Sequence, residues 1–171
     1  MATENKNLSV YNKDEMPNIL GWKIGIVVSE WNDQVTNGLL EGAKSALLDL
    51  GIAEMDLIIK HTPGSYELPL AAQFLFTATE VDAVICLGSV IQGETKHFDF
   101  VCEAVSQGVK DVGLKYNKPC IFGVLTDNTM QQAIDRSGGK HGNKGVEAAV
   151  AAVKMVELMK SFGKGKSKLG Y

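Results

Sequence analysis

A chain of 171 residues, 45% hydrophobic and 22% charged, is long enough to bury one sizeable core and has the make-up of a soluble globular domain. Its net charge of -3 gives nucleic acid no general electrostatic reason to bind, and no apolar run approaches the length needed to span a bilayer. Three cysteines, Cys86, Cys102 and Cys120, form no C-x-x-C pair and lie in apolar segments, which points to buried, reduced thiols in a cytoplasmic protein rather than a disulfide framework.

Residues 1–20 are polar and aperiodic, with little of their own to fold around, and read as a flexible arm or an edge strand given to a neighbour. The folded domain is expected over residues 21–162. Its first strand is the β-branched run Ile24-Gly25-Ile26-Val27-Val28, closed by Ser29-Glu30-Trp31-Asn32-Asp33, with Asn32 or Asp33 as helix N-cap. The helix that follows places Val35, Leu39, Leu40, Ala43, Ala46, Leu47 and Leu50 on one face, and Gly51 ends it. A second strand around residues 56–60 leads through His61-Thr62-Pro63-Gly64-Ser65-Tyr66-Glu67 to Pro69, at the first turn of a helix carrying Leu70, Ala71, Phe74 and Leu75. The third strand, Val84-Ile85-Cys86-Leu87, is bounded by Gly88. Its helix follows from Phe100 to about Leu114, with Val101, Val105, Val109 and Val112 at helical spacing. Pro119 to Leu125 is a fourth strand, followed by a short helix around residues 130–135 and a cationic glycine-rich loop, residues 136–145. A last helix over about residues 146–162 presents Val146, Ala149, Val150, Val153 and Met155 or Val156, and residues 163–171 read as a disordered Lys/Gly-rich tail. Strands alternating with helices predict an α/β domain: a three-layer sandwich around a four-stranded, mostly parallel sheet.

In such a sheet every strand ends at one edge, and each of these ends in polar or aromatic groups. Each group also has a bland reading. Trp31 can stack on a planar ligand or cover the sheet edge. Glu67 can accept ligand N–H bonds, or simply suit a helix start. Gly93-Glu94-Thr95, between the third strand and its helix, resembles an anion cradle, although it matches neither the P-loop nor the dinucleotide fingerprint. His97 beside it can move protons near neutral pH or serve as an ordinary helix-start residue. Arg136, Lys140 and Lys144 can neutralise phosphate or remain solvated. No cluster has metal-ligand spacing. The residues alone point to a phosphate-binding α/β enzyme using His97 for acid/base work.

Taken together, the segments Gly64-Ser65-Tyr66-Glu67-Leu68-Pro69, Gly88 through Asp99 (GSVIQGETKHFD), Phe122-Gly123-Val124-Leu125 and Arg136 through Gly145 resemble the 6,7-dimethyl-8-ribityllumazine synthase family from about Gly25 to Leu158. The resemblance implies a flavodoxin-like fold and the penultimate step of riboflavin biosynthesis. In that step 5-amino-6-(D-ribitylamino)uracil condenses with 3,4-dihydroxy-2-butanone 4-phosphate, releasing phosphate and water, with no cofactor and no metal. It also implies roles: Trp31, Ser65, Tyr66, Glu67, Ser89, Val90, Ile91, Phe122 and Lys144 for the ribitylaminouracil, Glu94, Thr95 and Arg136 for the phosphate, and His97 for proton transfer. Trp31 and Tyr66 stand where phenylalanine is more usual in the family, and Ser65 where alanine is frequent. The family forms pentamers with active sites between subunits, so Phe122 and Arg136 are expected to serve a neighbour's site and the N-terminal arm to join a neighbour's sheet. The short connection through Gly138 to Asn143 resembles that of members that build a sixty-subunit icosahedral shell. Riboflavin synthase is an expected partner. The alternative is a non-catalytic flavin-binding shell protein of the same fold.

Overall fold

The computed structural model describes residues 9–163. Four parallel strands, β1 (Ile24–Ser29), β2 (Leu57–Thr62), β3 (Ala83–Ile91) and β4 (Cys120–Asp127), form one sheet in the order β2-β1-β3-β4. The expected mostly parallel sheet is wholly parallel. The chain winds outward from β1 to β2 through α1 (Asp33–Asp49), crosses back to β3 through α2 (Leu68–Ala78), and continues to β4 through α3 (His97–Tyr116). The direction of winding therefore reverses between β1 and β3, and in open α/β sheets the crevice for ligands opens at the carboxyl ends of such a pair.

The strands alternate their side chains between two cores. Ile24, Ile26 and Val28 of β1 join Ile85 and Leu87 of β3 beneath α1 and α5 (Lys144–Gly163), whose buried face is Ala148, Ala149, Ala152, Val153 and Val156. Met155 is exposed, so Val156 is the inward residue of that pair. On the other face Val27, Val84, Cys86 and Val124 pack under α2 and α3 with Val105, Val109 and Val112. The face expected for α2 is corrected: Leu68, Ala72, Leu75 and Phe76 are buried, whereas Leu70 and Phe74 are exposed. That helix is apolar nearly all round, so periodicity had no polar face to orient it.

The helix stop at Gly51 acts where it was read. Gly51, at φ +101°, closes α1: the Gly51 and Ile52 amides donate to the Leu48 and Leu47 carbonyls at 3.0 and 3.1 Å, a pairing that needs a left-handed residue after the helix. The loop expected over residues 136–145 contains more structure. α4 (Met130–Arg136) ends there, and β5 (Ser137–Gly139) pairs antiparallel with β6 (Gly142–Asn143). Asn143 holds this corner, donating to the Gly38 and Ser137 carbonyls at 2.8 and 3.1 Å and accepting from the Gly145 amide at 2.8 Å.

Of the arm expected over residues 1–20, residues 1–8 lie outside the described residues, as does the tail from residue 164. Residues 9–20 are not free. The Tyr11 hydroxyl donates to Asp49 at 2.9 Å, Lys13 pairs with the same carboxylate at 3.1 Å, and Ile19 is fully buried with Tyr11, Met16 and Trp22 packed on the α1/α5 core. These apolar residues are too widely and irregularly spaced to show a period. The thiols also differ from expectation: only Cys86 is buried, while Cys102 and Cys120 are half-buried. Cys86 Sγ lies 4.0 Å from Cys120 Sγ, and that hydrogen bond together with burial pushes the Cys86 thiol well up. Burial, with the Asp99 charge, also raises that of Cys102. Thiols so shifted stay protonated and make poor nucleophiles. Among the described residues, no helix is long and apolar enough to cross a membrane, and no three metal-ligating side chains gather.

Candidate active site

β3 is longer than its apolar run suggested. It continues through Gly88, Ser89, Val90 and Ile91, because β4 pairs with it rung by rung as far as Ile91 opposite Asp127. The first half of the GSVIQGETKHFD motif is therefore strand rather than turn, and it ends level with the switch point. Gly88 is required there: a Cβ at this position would lie 2.5 Å from Ser65 Oγ, 3.0 Å from Leu68 Cδ1 and 3.3 Å from Ser29 Oγ. The missing side chain lets the turn after β2 press against β3.

That turn, Ser65–Glu67, is a single 3-10 turn running into α2. Its Glu67 Oε2 accepts the Gly64 amide at 3.0 Å, and Thr62 Oγ1 donates to the Gly64 carbonyl at 3.0 Å. The Ser65 hydroxyl is buried and turned inward, 3.4 Å from Ser29 Oγ. Tyr66 and Trp31 are turned outward, 61% and 73% exposed, and the edge of the Trp31 indole lies beside Gly64. An indole so exposed on a rigid loop presents a face on which a planar ring can stack.

Asn32, read from the sequence as a helix cap, stands at the N-cap position of α1 but makes no side-chain cap bond. It adopts the left-handed conformation, φ 60°, and its Nδ2 donates to the Ser89 carbonyl at 2.9 Å. The β1 loop is thereby stapled to the end of β3. Asparagine tolerates this conformation better than most residues, which is the one signal the sequence carried. Ser89 itself is 3% exposed, and its Oγ is buried without a hydrogen-bond partner. Val90 and Ile91 continue the strand half-buried, and then Gln92 to His97 are all exposed. His97 opens α3, its amide reaching Thr95 Oγ1 at 3.4 Å. The twenty-residue helix behind it directs its positive end at this loop.

Trp31, Ser65–Glu67, Ser89–Ile91 and the Glu94–His97 loop therefore gather at the β1/β3 switch point. Arg136 ends α4 and pairs through Nε with Asp127 Oδ1 at 3.6 Å, at the last rung of β4. Burial raises the Asp127 carboxyl, with the Arg136 charge opposing the shift. Lys144 opens α5 with its ammonium held by Glu147 at 2.8 Å. Phe122 stands apart. It pairs with Cys86, three rungs before the level of Ser89 and Leu125, or roughly 10 Å along the strand, half-buried on the α2/α3 side.

A family model described as 6,7-dimethyl-8-ribityllumazine synthase matches residues 21–160, a span that holds every one of these residues. The chain belongs to the 6,7-dimethyl-8-ribityllumazine synthase family. It is 59% identical over 158 residues to the 6,7-dimethyl-8-ribityllumazine synthase of Flavobacterium johnsoniae, covering 92% of this chain and 83% of the relative. The protein of that name from Cytophaga hutchinsonii is 56% identical, covering 91% of this chain and 98% of its own. That of Christiangramia forsetii is 50% identical, covering 96% and 100%. In this lumazine synthase family member the exposed Glu94–His97 loop, the exposed Trp31 indole and the unpartnered Ser89 hydroxyl are thus parts of one edge of one sheet.

Proposed function

We infer that the chain is an enzyme, a 6,7-dimethyl-8-ribityllumazine synthase of riboflavin biosynthesis. We propose that it condenses 5-amino-6-(D-ribitylamino)uracil with 3,4-dihydroxy-2-butanone 4-phosphate at the β1/β3 switch point. The observation that carries the site assignment is Ser89: a buried hydroxyl without a partner, between an exposed indole and the N-terminal end of α3. The uracil stacks on Trp31, and its polar edge meets Ser89, Val90 and Ile91. The ribityl chain runs past Tyr66 to Glu67, whose Oε2 is held by the Gly64 amide so that the carboxylate is oriented in advance. Residue 65 contributes through its main chain, since its hydroxyl is engaged with Ser29. The phosphate lies at the Glu94-Thr95 amides and the α3 N-terminus, with Arg136 as counter-charge.

The chemistry needs orientation and proton movement more than a covalent nucleophile. The 5-amino group attacks the ketone, and loss of water gives an imine. Removal of a proton from the adjacent carbon expels phosphate. After tautomerisation the ribityl-bearing nitrogen closes the ring on the remaining carbonyl, with loss of a second water. His97, exposed at the mouth of the site beside the phosphate loop, is the proposed carrier of these protons.

Within one chain Phe122 does not reach this edge, which supports a site completed by a neighbour's Phe122 and Arg136. Exposed Leu70, Phe74 and Phe100 on the α2/α3 side and the half-buried edge strand β2 suit subunit contact, with the N-terminal arm joining a neighbour's sheet. A pentamer, sixty-subunit shell formation in the cytoplasm and association with riboflavin synthase complete the proposal. Mixing the two substrates with the protein and following lumazine fluorescence tests the activity. A His97→Ala variant is expected to be slower by roughly 10²-fold or more in kcat. No signal above the uncatalysed rate would leave a non-catalytic flavin-binding shell protein instead. A pentamer mass in light scattering at neutral pH would rule out the shell.

A further inference from the structure

A carboxylate with no part in the substrate contacts, Asp127, stands behind Arg136. Asp127 is the last residue of β4, held opposite Ile91 and accepting the Gln92 amide on its carbonyl at 2.9 Å, so its backbone is locked to the strand that leads into the anion loop. The turn that follows is also tied: the Asn128 amide donates to Gln132 Oε1 at 2.9 Å, and Thr129 Oγ1 caps α4 by accepting the Gln132 amide at 3.3 Å. Arg136 arrives at the end of that short helix. Asp135, the neighbouring carboxylate, is already engaged by Lys140 at 3.0 Å and by Gln131 at 3.0 Å. Asp127 is the acid left for the guanidinium. Its side chain is 11% exposed against 40% for Arg136, so a buried anion stands behind an outward-facing cation. Asp127 Oδ1 faces Nε at 3.6 Å, while Oδ2 is buried and unpartnered.

We propose that Asp127 is a positioning residue for the phosphate subsite: it holds Arg136 by the Nε edge and turns the Nη end toward a phosphomonoester dianion. A guanidinium carries five N–H donors in a rigid fork. A carboxylate on the Nε side uses one or two of them and leaves the rest, all on Nη, for phosphate oxygens. A small closing movement of the arginine brings an Nη–H to Oδ2, so the same step satisfies the buried oxygen and fixes the fork. This proposal rests on the reading of Arg136 as a phosphate ligand.

The test measures KM for both substrates and the inhibition constant of inorganic phosphate in Asp127→Ala, Asp127→Asn and Arg136→Ala proteins. Asp127→Ala is expected to raise KM for the phosphate-bearing substrate and the phosphate inhibition constant by about five- to tenfold, the effect of one charge-assisted contact. KM for the ribitylaminouracil stays unchanged, a split that general misfolding cannot produce. Asp127→Asn, which keeps the shape and an acceptor for Nε, falls between wild type and alanine. If Arg136→Ala weakens phosphate while both Asp127 variants bind it as wild type, the positioning role is refuted. Tighter phosphate binding in Asp127→Asn also refutes it, because the carboxylate then merely opposes the anion. Wild-type phosphate constants in Arg136→Ala refute the phosphate reading of the arginine, and the proposal falls with it.

Discussion

Ser89→Ala is expected to make the ligand-free protein more stable and the enzyme worse. The Ser89 hydroxyl is buried and without a hydrogen-bond partner. Leaving such a group unpaired costs about 1–3 kcal/mol in lost hydration. Alanine removes that penalty and leaves a void about the size of one oxygen atom, worth about 0.5 kcal/mol. The net gain is about 1 kcal/mol, or roughly 2–4 °C in Tm for a chain of this size. The bound state moves the other way, because a polar edge of the uracil then goes unpaired in a buried site. That loss of about 1–3 kcal/mol weakens binding roughly 5- to 150-fold. Thermal unfolding of the ligand-free protein reads the first effect, and calorimetric titration with a non-reactive ribitylaminouracil analogue reads the second. A lower Tm with unchanged affinity would refute the reasoning, since the hydroxyl would then serve the fold and not the ligand.

Gly88→Ala puts a Cβ 2.5 Å from Ser65 Oγ and 3.0 Å from Leu68 Cδ1, and is expected to cost about 1–3 kcal/mol in urea unfolding. Adding Ser65→Ala removes the nearest atom and should recover more than half of that cost; strict additivity of the two substitutions would refute the contact as the cause. Tyr11 supplies an alkaline prediction. Burial first, then its hydrogen bond to Asp49, push its phenol up to about 12. The unfolded chain releases that proton near pH 10, so between about pH 10 and 12 the native state binds more protons and stability falls as pH rises. Tyr11→Phe removes this contribution, and its stability should decline less steeply than wild type above pH 10. Equal slopes would refute the assignment.

Part of the site was legible because its signals are short. The GSVIQGETKHFD segment carries strand, exposed loop and helix start in consecutive residues, and the family resemblance rests on such runs. α1 and its Gly51 terminus were equally plain, since a capping pattern spans only the last turn of a helix and the two residues after it. β3 was read too short because Gly88 and Ser89 look like a strand end when their partners on β4, dozens of residues later, are out of view. The buried side of α2 was misjudged because an almost uniformly apolar helix does not announce which face meets its own core.

The sequence by itself determined the alternation of strand and helix, the family and the identity of the chemical groups at the strand ends, since each follows from neighbours within a turn or a strand. Only the tertiary structure decided how those groups are used. The β2-β1-β3-β4 order brings Asn32 to the Ser89 carbonyl and turns Ser65 toward Ser29 beneath Gly88. The β3–β4 register leaves Phe122 partway down the sheet and seats Asp127 behind Arg136. Burial and hydrogen-bond satisfaction depend on which segments meet across the sheet, and the unpartnered hydroxyl of Ser89 exists only once they have met.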